Sequence, residues 1–574
     1  MKIKKVYIKN FRSIRELEFT FPESGLMVLV GANNAGKSNI VRAINNILGE
    51  SWWGKDVDLM DFYKRDRNNT IEIKIEFDND RQVEYSSNDD VWAKYYDENG
   101  NQIWSSQGSI KEDFPCTYLP AQRSISQTLS FSKWSLMGKI AQSFNKKVKN
   151  YNLEEDLKDK FQEIMNILDD IQEFKQFKED FVSFFEELQL SEASYSLKVN
   201  FKPFSPVNYF KTINILANDQ VLGEDFDIDI EELGEGTRNL IILSLLRSYA
   251  KNFKQEAQGL IIIEEPEIYM HPQARRHLLT VLKDIVKDSN IQIIITTHSS
   301  SFIETEYFDN IGLVYKTPDE GTKIRQVIKE DLSDFANQTG AHGSSRPENI
   351  TEFYAITSND RLKEGFFSKF IVLVEGETEE LCFPLLFEMA GIDVNKLGIS
   401  IIRVGGKTQL PKYWRLFFKF QIPMLVVFDN DLDKSKGERN NEQIAQCFNI
   451  SVEDIENLEE NQTFKIIEAE SESPSFIQPL LVFKKNIEFA IKTEFSRAGY
   501  ENKYNEYETE AENLKLRKPQ KLRYILRRLS KDEDFNYVPE FISESKQIIA
   551  QNFNFTIEAT NTYDENDTDE ELPF

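Results

Sequence analysis

Residues Lys369–Phe383 read KFIVLVEGETEELCF, and residues Pro423–Asp433 read PMLVVFDNDLD. Each begins as an unbroken apolar run of strand length and ends in a knot of carboxylates. A run that is apolar at every position, rather than at alternate ones, predicts a strand buried on both faces, as in a parallel sheet covered by helices. Glu375 ends the first strand, Gly376 permits a tight turn, and Glu379 falls in the first turn of the next helix, where it can face the same way. Asp429 and Asp431 end the second strand with one residue between them, so both can project toward one point if the chain turns there. Taken singly, acids at a strand end are ordinary solvated polar residues. Four of them gathered at the ends of parallel strands repel one another unless cations neutralise them, which makes them the donor set of a Mg²⁺ pair. Two such ions roughly 4 Å apart can activate a water and stabilise the leaving oxygen of a phosphodiester.

Outward from these strands the text keeps alternating strand and helix. GISIIRVGG, a helix around Tyr413–Phe420 and further helices to about Gln551 predict a mostly parallel sheet within residues 366–555. GAHGSSRPE, Gly340–Glu348, is a linker. Before it, the strands KKVYIKNF, RELEFTF and LMVLV lead into a helix, SNIVRAINNILG. From about 134 to 192 the text turns polar, with helical recurrence of Leu, Ile and Phe, and is expected to be a helical insertion serving dimerisation. Strand signals return in YSLKVNF, INILAND and GLIIIEEP; the helix PQARRHLLTVLKDIVKD and the strand IQIIITTH close a first α/β domain over residues 1–345. An acidic tail, 560–574, ends the chain. There is no internal repeat.

Composition sets limits. A chain of 574 residues is too long for one core, and 40% hydrophobic residues suffice for two or three domains. The net charge of -27 argues against binding nucleic acid through bulk positive charge, so any such contact must be local or carried by metal ions. Three dispersed cysteines and four histidines give neither a disulfide framework nor a zinc site. No apolar run approaches the roughly 18 residues that span a bilayer, so the chain is expected to be cytoplasmic and away from membranes.

Gly31–Ser38 reads GANNAGKS, directly after the strand LMVLV and opening a helix, which is the context a phosphate-binding P-loop requires. Gly31, Asn34, Gly36 and Asn39 belong to the cradle, Lys37 reaches the outer phosphates of ATP, and the Ser38 hydroxyl can ligate Mg²⁺. GLIIIEEP, Gly259–Pro266, has the form of a Walker B strand: Glu264 would hold Mg²⁺ through water, and Glu265 would orient or deprotonate the attacking water. His298, ending IIITTH, stands where a γ-phosphate-sensing histidine would sit. Gly234 and Gly236, in LGEGTRNLIILSLL, form a Gly-x-Gly turn ahead of an apolar helix.

That order, with EEPEIYMHP, resembles the ABC-type ATPases of the SMC and RecF kind, in which the turn of one head contacts nucleotide held by another. The resemblance implies a homo-oligomer, a dimer or a tetramer. The turn is not LSGGQ and no Q-loop glutamine is placed. The order E, then DxD, on a β-α-β-α-β pattern resembles a Toprim domain. An SMC-like ATPase followed by a Toprim domain resembles the OLD (overcoming lysogenisation defect) family of nucleases, in its single-gene or Gabija form, over nearly the whole chain. The resemblance implies an ATP-regulated, Mg²⁺- or Mn²⁺-dependent DNA endonuclease, two ions in the Toprim site, a role in defence against foreign DNA, and in some members a helicase partner. It further implies Glu488 as the third acidic position, with Asn486 near it and Glu470–Ser473 as a competing stretch. Lys518, ahead of a proline, matches the catalytic lysine and would stabilise charge on the phosphoryl oxygens.

Lys515, Arg517, Lys518, Lys521, Arg523, Arg527, Arg528 and Lys531 form the strongest basic cluster, either a solvated helix face or a DNA-backbone contact. The ending DEELPF resembles the acidic tip of bacterial single-stranded DNA-binding proteins, which implies docking on repair and replication enzymes. The main rival is a RecF/SMC-like ATP-dependent DNA clamp with a non-catalytic Toprim domain. A primase would need a zinc module that the cysteine spacing denies, whereas the 21 tyrosines leave a topoisomerase open.

Overall fold

The computed structural model describes residues 1–49, 57–89, 93–103, 113–121, 135–169, 171–172, 175–176, 216–218, 227–252, 258–268, 270–341, 345–432, 434, 437–469 and 478–553. The expected dimerisation insertion is therefore described only over residues 135–169, 171–172 and 175–176, which include the helices Leu136–Asn150 and Glu154–Asp169, and the acidic tail lies outside the described residues. The chain divides into two compact units. Met1–Met27, Gly36–Thr297 and Lys316–Lys323 form the first, and Val28–Ala35, His298–Tyr315 and Ile324–Phe574 the second. No helix among the described residues is long and apolar enough to cross a membrane.

The first unit is built on a large mixed sheet. Its antiparallel part carries β1 (Ile3–Phe11), β2 (Ile14–Thr20), β4 (Glu72–Phe77), β5 (Gln82–Ser86), β6 (Lys94–Tyr96) and β7 (Gln102–Ile103), with β3 (Leu26–Val30) between β2 and β4 in the sequence. Strand order there is β7-β6-β5-β4-β1-β2. β4 alternates half-exposed with buried residues, as a sheet with one face on the core requires. The parallel part sets β11 (Gln258–Glu264) between β8 (Cys116–Leu119) and β12 (Asn290–Thr296). β9 (Leu216–Asn218) and β10 (Asp227–Asp229) make a separate antiparallel pair. Residues 259–264 of β11 are all buried, which explains the unbroken GLIII: both faces of the strand are covered. β13 (Ile311–Thr317) pairs in parallel with β3, and β14 (Gly321–Arg325) meets β2 at Ile14.

The second unit holds a five-stranded sheet of β15 (Phe370–Val374), β16 (Ile399–Arg403), β17 (Met424–Asp429), β18 (Phe464–Ala469) and β19 (Gln478–Phe483), in the order β16-β15-β17-β19-β18. The first four strands in that order are parallel, and β18 closes the edge antiparallel to β19. Parallel pairing demands crossovers, and the helices Glu377–Met389 and Leu410–Lys419 supply them. On one face Phe370, Val372 and Val374 pack with Phe383 and Leu386, and with Ile525 and Phe541 of the C-terminal helices. Burying each such side chain contributes about 1.5–3 kcal/mol, enough to fix which strand ends lie side by side. Val374 pairs with Val427 and Asp429 with Phe483, so the residues following β15 and β17 emerge at one edge of the sheet.

Candidate active site

At the carboxyl edge of the five-stranded sheet, Glu375 follows β15 and Asp429 ends β17. Glu379, 7% exposed, belongs to the first turn of Glu377–Met389, where its Oε2 accepts the Gly376 N–H at 3.1 Å and closes the helix N-terminus. Asp431 is buried in the left-handed region at φ 61. A Cβ on Gly437, at the start of the next helix, would stand 2.0 Å from the Asp431 carbonyl, so glycine lets the chain fold back against that turn. Glu488 lies in the first turn of Ile487–Arg497, a helix capped by Asn486, whose side chain accepts the Phe489 N–H at 2.9 Å. Asn486 is thus a helix cap. Glu488 Oε1 accepts the Thr378 hydroxyl at 3.2 Å and lies 3.0 Å from Lys518 Nζ, at the start of the helix Lys518–Leu529.

The fold brings the five acids into one electrostatic neighbourhood. Asp429 is pushed up to about 9, by burial first and then by Glu379, Glu375, Asp431 and Glu488. Glu375 is raised by burial and Asp431, and Glu379 by burial, Glu488 and Glu375. Glu375 Oε2 and Asp429 Oδ1 are enclosed without a hydrogen-bond partner. An enclosed, unpartnered carboxylate oxygen among like charges is a donor awaiting a cation. Among the described residues, no three His, Cys, Asp or Glu side chains are already arranged to hold a metal, so ligation requires side-chain rotation. Two lysines that the linear reading passed over belong here. Lys434 Nζ lies 2.6 Å from Asp431 Oδ1, and Lys407, 3% exposed, sits under the edge. Glu470–Ser473 lies outside the described residues.

The nucleotide elements in the first unit are assembled around Lys37. Gly36 precedes the helix Lys37–Leu48 at φ 109, and a Cβ there would strike Thr322 Oγ1 at 2.1 Å. Gly31 and Asn34, which belong to the second unit, have positive φ of their own, 147 and 62. Ser38 and Asn39 open the helix. Asn39 Nδ2 donates to Ser13 Oγ (2.7 Å), which shares a 2.8 Å hydrogen bond with Thr322. Lys37 is 5% exposed, and burial lowers its ammonium to about 8 against the opposing pull of Glu265 and Glu267. A buried cation at a helix N-terminus is chemically matched to phosphate. Glu264, 4% exposed, accepts the Tyr118 hydroxyl at 2.5 Å. Glu265 follows β11 at φ 43 and is raised by burial and Glu267. Glu267, not anticipated from the sequence, accepts the Thr297 hydroxyl at 2.7 Å. His298, the first residue of a segment of the second unit, is exposed, two residues past the end of β12.

Gly234 and Gly236 require a correction. The helix begins at Glu235, so Gly236 lies in its first turn and not in a turn ahead of it. First-turn amides have no intrahelical partner to lose, which limits the cost of glycine there. The basic cluster also divides. Lys521 pairs with Glu508 (3.2 Å) and Glu512 (2.6 Å), and Arg528 with Glu510 (3.3 Å), whereas Arg523 and Arg527 form no ion pair among the described residues.

Comparison with known proteins follows this geometry. The family described as "AAA ATPase domain" matches residues 1–115 and 84–303, and that described as "Overcoming lysogenization defect protein-like, TOPRIM domain" matches residues 366–431. The second match contains Glu375, Glu379, Asp429 and Asp431; Glu488 and Lys518 lie beyond it. The chain is 25% identical over 458 residues to the OLD nuclease of Thermus scotoductus, covering 75% of this chain and 82% of that one. It is 25% identical over 485 residues to the Old nuclease of Escherichia phage P2 (75% and 77% covered). Over 278 residues it is 27% identical to the endonuclease GajA of Bacillus cereus (45% and 39% covered).

Proposed function

The chain belongs to the OLD family, an ATPase domain joined to an OLD-like Toprim domain, and on that premise we propose that it is an ATP-regulated, metal-dependent DNA endonuclease. The observation that carries the reading is the enclosed carboxylate set at one sheet edge, with Asp429 pushed up to about 9 by burial first and then by its four acidic neighbours. Glu375, Glu379, Asp429, Asp431 and Glu488 would hold one or two Mg²⁺ or Mn²⁺ ions. When bound, the metal supplies an activated water and neutralises the leaving oxygen of the phosphodiester.

The chain's own groups have the remaining tasks. Asp429 gives up its proton to become a ligand. Lys518, held on Glu488 until substrate arrives, turns its ammonium to a non-bridging phosphoryl oxygen, where charge accumulates in the transition state. Arg523 and Arg527, on the same helix and without an ion pair among the described residues, extend the cationic track along the DNA backbone. In the ATPase unit, Lys37 and the loop amides grip the β- and γ-phosphates. Ser38 and Glu264 serve a Mg²⁺, directly and through water, and Glu265 orients the attacking water. His298 senses the γ-phosphate, and Gly234 with Gly236 serve a second copy of the chain. ATP would act as a switch on cleavage by changing assembly.

The wider setting belongs to the same proposal: restriction of foreign DNA by a cytoplasmic homo-oligomer, with a helicase partner supplying opened DNA. The tail DEELPF would dock on repair or replication proteins that recognise such tips. Pull-down with the full chain should lose those proteins on deletion of Leu572–Phe574, and unchanged capture would end that part of the reading.

The central test incubates purified protein with supercoiled plasmid and Mg²⁺ or Mn²⁺, with and without ATP, beside Asp429→Ala/Asp431→Ala. Metal-dependent nicking that disappears in the variant is expected, and the ATP lanes give the sign of control. Equal nicking by both proteins, or DNA binding with no cleavage by either, would refute it; the second result would favour an ATP-dependent clamp.

A further inference from the structure

Past Arg403, the last residue of β16, the chain crosses the carboxyl end of β15. The Val404 N–H donates to the Val374 carbonyl at 3.0 Å, and Gly405 and Gly406 both donate to the Glu375 carbonyl, at 3.2 and 3.0 Å. Gly405 and Gly406 adopt φ 82 and 137, a path open to glycine and strained for other residues. This brings Lys407 to the carboxyl end of β17, one strand further on. Its Nζ donates to the carbonyl of Asp429 at 2.5 Å, the carbonyl of Asn430 at 3.0 Å and Oδ1 of Asn441 at 2.5 Å. Asn441 is itself oriented by donating to Asn430 Oδ1 (3.0 Å) and Glu456 Oε1 (3.1 Å). All three donors of the ammonium are therefore used, and every acceptor is neutral.

That pattern poses a question of cost. Neutral donors could satisfy two carbonyls and an amide without burying a charge, and burying a charge is expensive unless opposite charge lies near. Burial lowers the Lys407 ammonium to about 8, and the acids of the sheet edge oppose it, Asp431 first and then Glu375. Asp431 immediately follows the two carbonyls that the ammonium grips, and the Glu375 carbonyl is held by the glycines that precede Lys407.

We propose that Lys407 is a built-in counter-cation and positioning residue of the carboxylate site. It ties the ends of β15 and β17 into one register and offsets the charge of their acids while no divalent cation is bound. The inference rests on the metal-site reading given above. Two functions are combined in one side chain, a hydrogen-bonded strut and a charge, and only the second is specific to a cation site. A strut alone would make Lys407 indifferent to the charge of Asp431.

The test is a double-variant cycle on the full chain without metal, using Lys407→Met, Asp431→Asn and the combination, read as melting temperature. Asn keeps the shape of Asp431 and tolerates its left-handed backbone. The expected result is that Lys407→Met lowers the melting temperature by several degrees, and by less than half as much when Asp431→Asn is already present. Mn²⁺ should then raise the melting temperature of Lys407→Met more than that of the natural protein, because the cation replaces a charge already lost. Equal losses in both backgrounds would overturn the proposal and leave a strut. If Lys407→Met does not fold, the combined variant decides alone: folding supports the charge role, and failure to fold overturns it. Mn²⁺ shifting neither protein, with the cycle still coupled, would sink the metal reading and leave the charge role of Lys407 standing.

Discussion

Asp429→Asn separates the folding consequence of the carboxylate cluster from its chemical one. With its carboxyl pushed up to about 9 by burial and four acids, Asp429 carries its proton at pH 7 in roughly 99% of metal-free molecules. The sign follows from linkage. A folded-state value above the ordinary one means that the stability of the neutral group is fully present below about pH 4 and is lost as pH rises through about 9. Over the intervening window the unfolded chain has released a proton that the folded chain retains, so metal-free stability should fall by about 1.4 kcal/mol per pH unit on this account. Asparagine carries no such proton. The Asp429 oxygen that is enclosed has no hydrogen-bond partner, so the change forfeits no bond there.

The variant should therefore match or exceed the natural protein in stability at pH 7, with an advantage that widens toward pH 8.5, while losing the Mn²⁺-induced rise in melting temperature. Metal binding to the natural protein must expel the proton. Its apparent affinity should tighten about tenfold per pH unit between pH 6 and 8, with about one proton released per site at pH 7, measurable by calorimetry in buffers of different ionisation enthalpy. An Asp429→Asn protein with the same pH slope as the natural one, or metal binding with no proton release, would refute the reasoning.

Lys37→Ala should abolish ATP binding measured with a fluorescent analogue, whereas Glu265→Gln should bind ATP normally and release phosphate on the order of 100-fold more slowly; normal turnover by Glu265→Gln would remove that residue from the chemistry. Among the cations of the last basic helix, Arg523→Gln and Arg527→Gln should each lower the slope of log Kd for DNA against log salt by about 1. Lys521→Gln and Arg528→Gln should change it little, because carboxylates already hold those two side chains; equal effects of all four would remove the distinction. Lys518→Met should leave DNA affinity within a few-fold while reducing nicking by two orders of magnitude or more, as expected of a group that acts on transition-state charge; parallel losses would make it a binding residue.

The readable part of this chain was the part encoded locally. β15 and β17 are runs of buried residues, and nothing except a central parallel strand asks for FIVLV or MLVVF at every position. Glu375, Glu379, Asp429 and Asp431 could be named because each lies within five residues of such a run. The P-loop was legible for the same reason, as a strand, six residues and a helix in immediate succession. Gly236 was misplaced by two residues of helix boundary, the least certain quantity in a linear reading. The basic stretch 515–531 looked uniform because a count of lysines and arginines does not see the facing helix Glu501–Asn513, whose acids neutralise Lys521 and Arg528.

Lys407 shows why the remainder was hidden. In the sequence it is one lysine after two glycines, indistinguishable from a solvated turn residue. Its burial depends on strand order: β15 lies between β16 and β17, so a chain leaving β16 must pass over the end of β15 before its side chain can reach the carbonyls of Asp429 and Asn430. That order is decided by packing on both faces of the sheet. The charge balance of the site is accordingly a tertiary quantity. Five acids contributed by three strand ends and their helices are tolerable without metal only because protons, Lys434, Lys518 and the buried ammonium of Lys407 offset them. On the proposed reading, a divalent cation bound there would displace a proton and loosen ion pairs instead of filling a neutral hole. On that reading the metal-free fold would be poised for cation binding, and the cost of gathering the acids would fall on folding, where melting temperature can measure it without any DNA present.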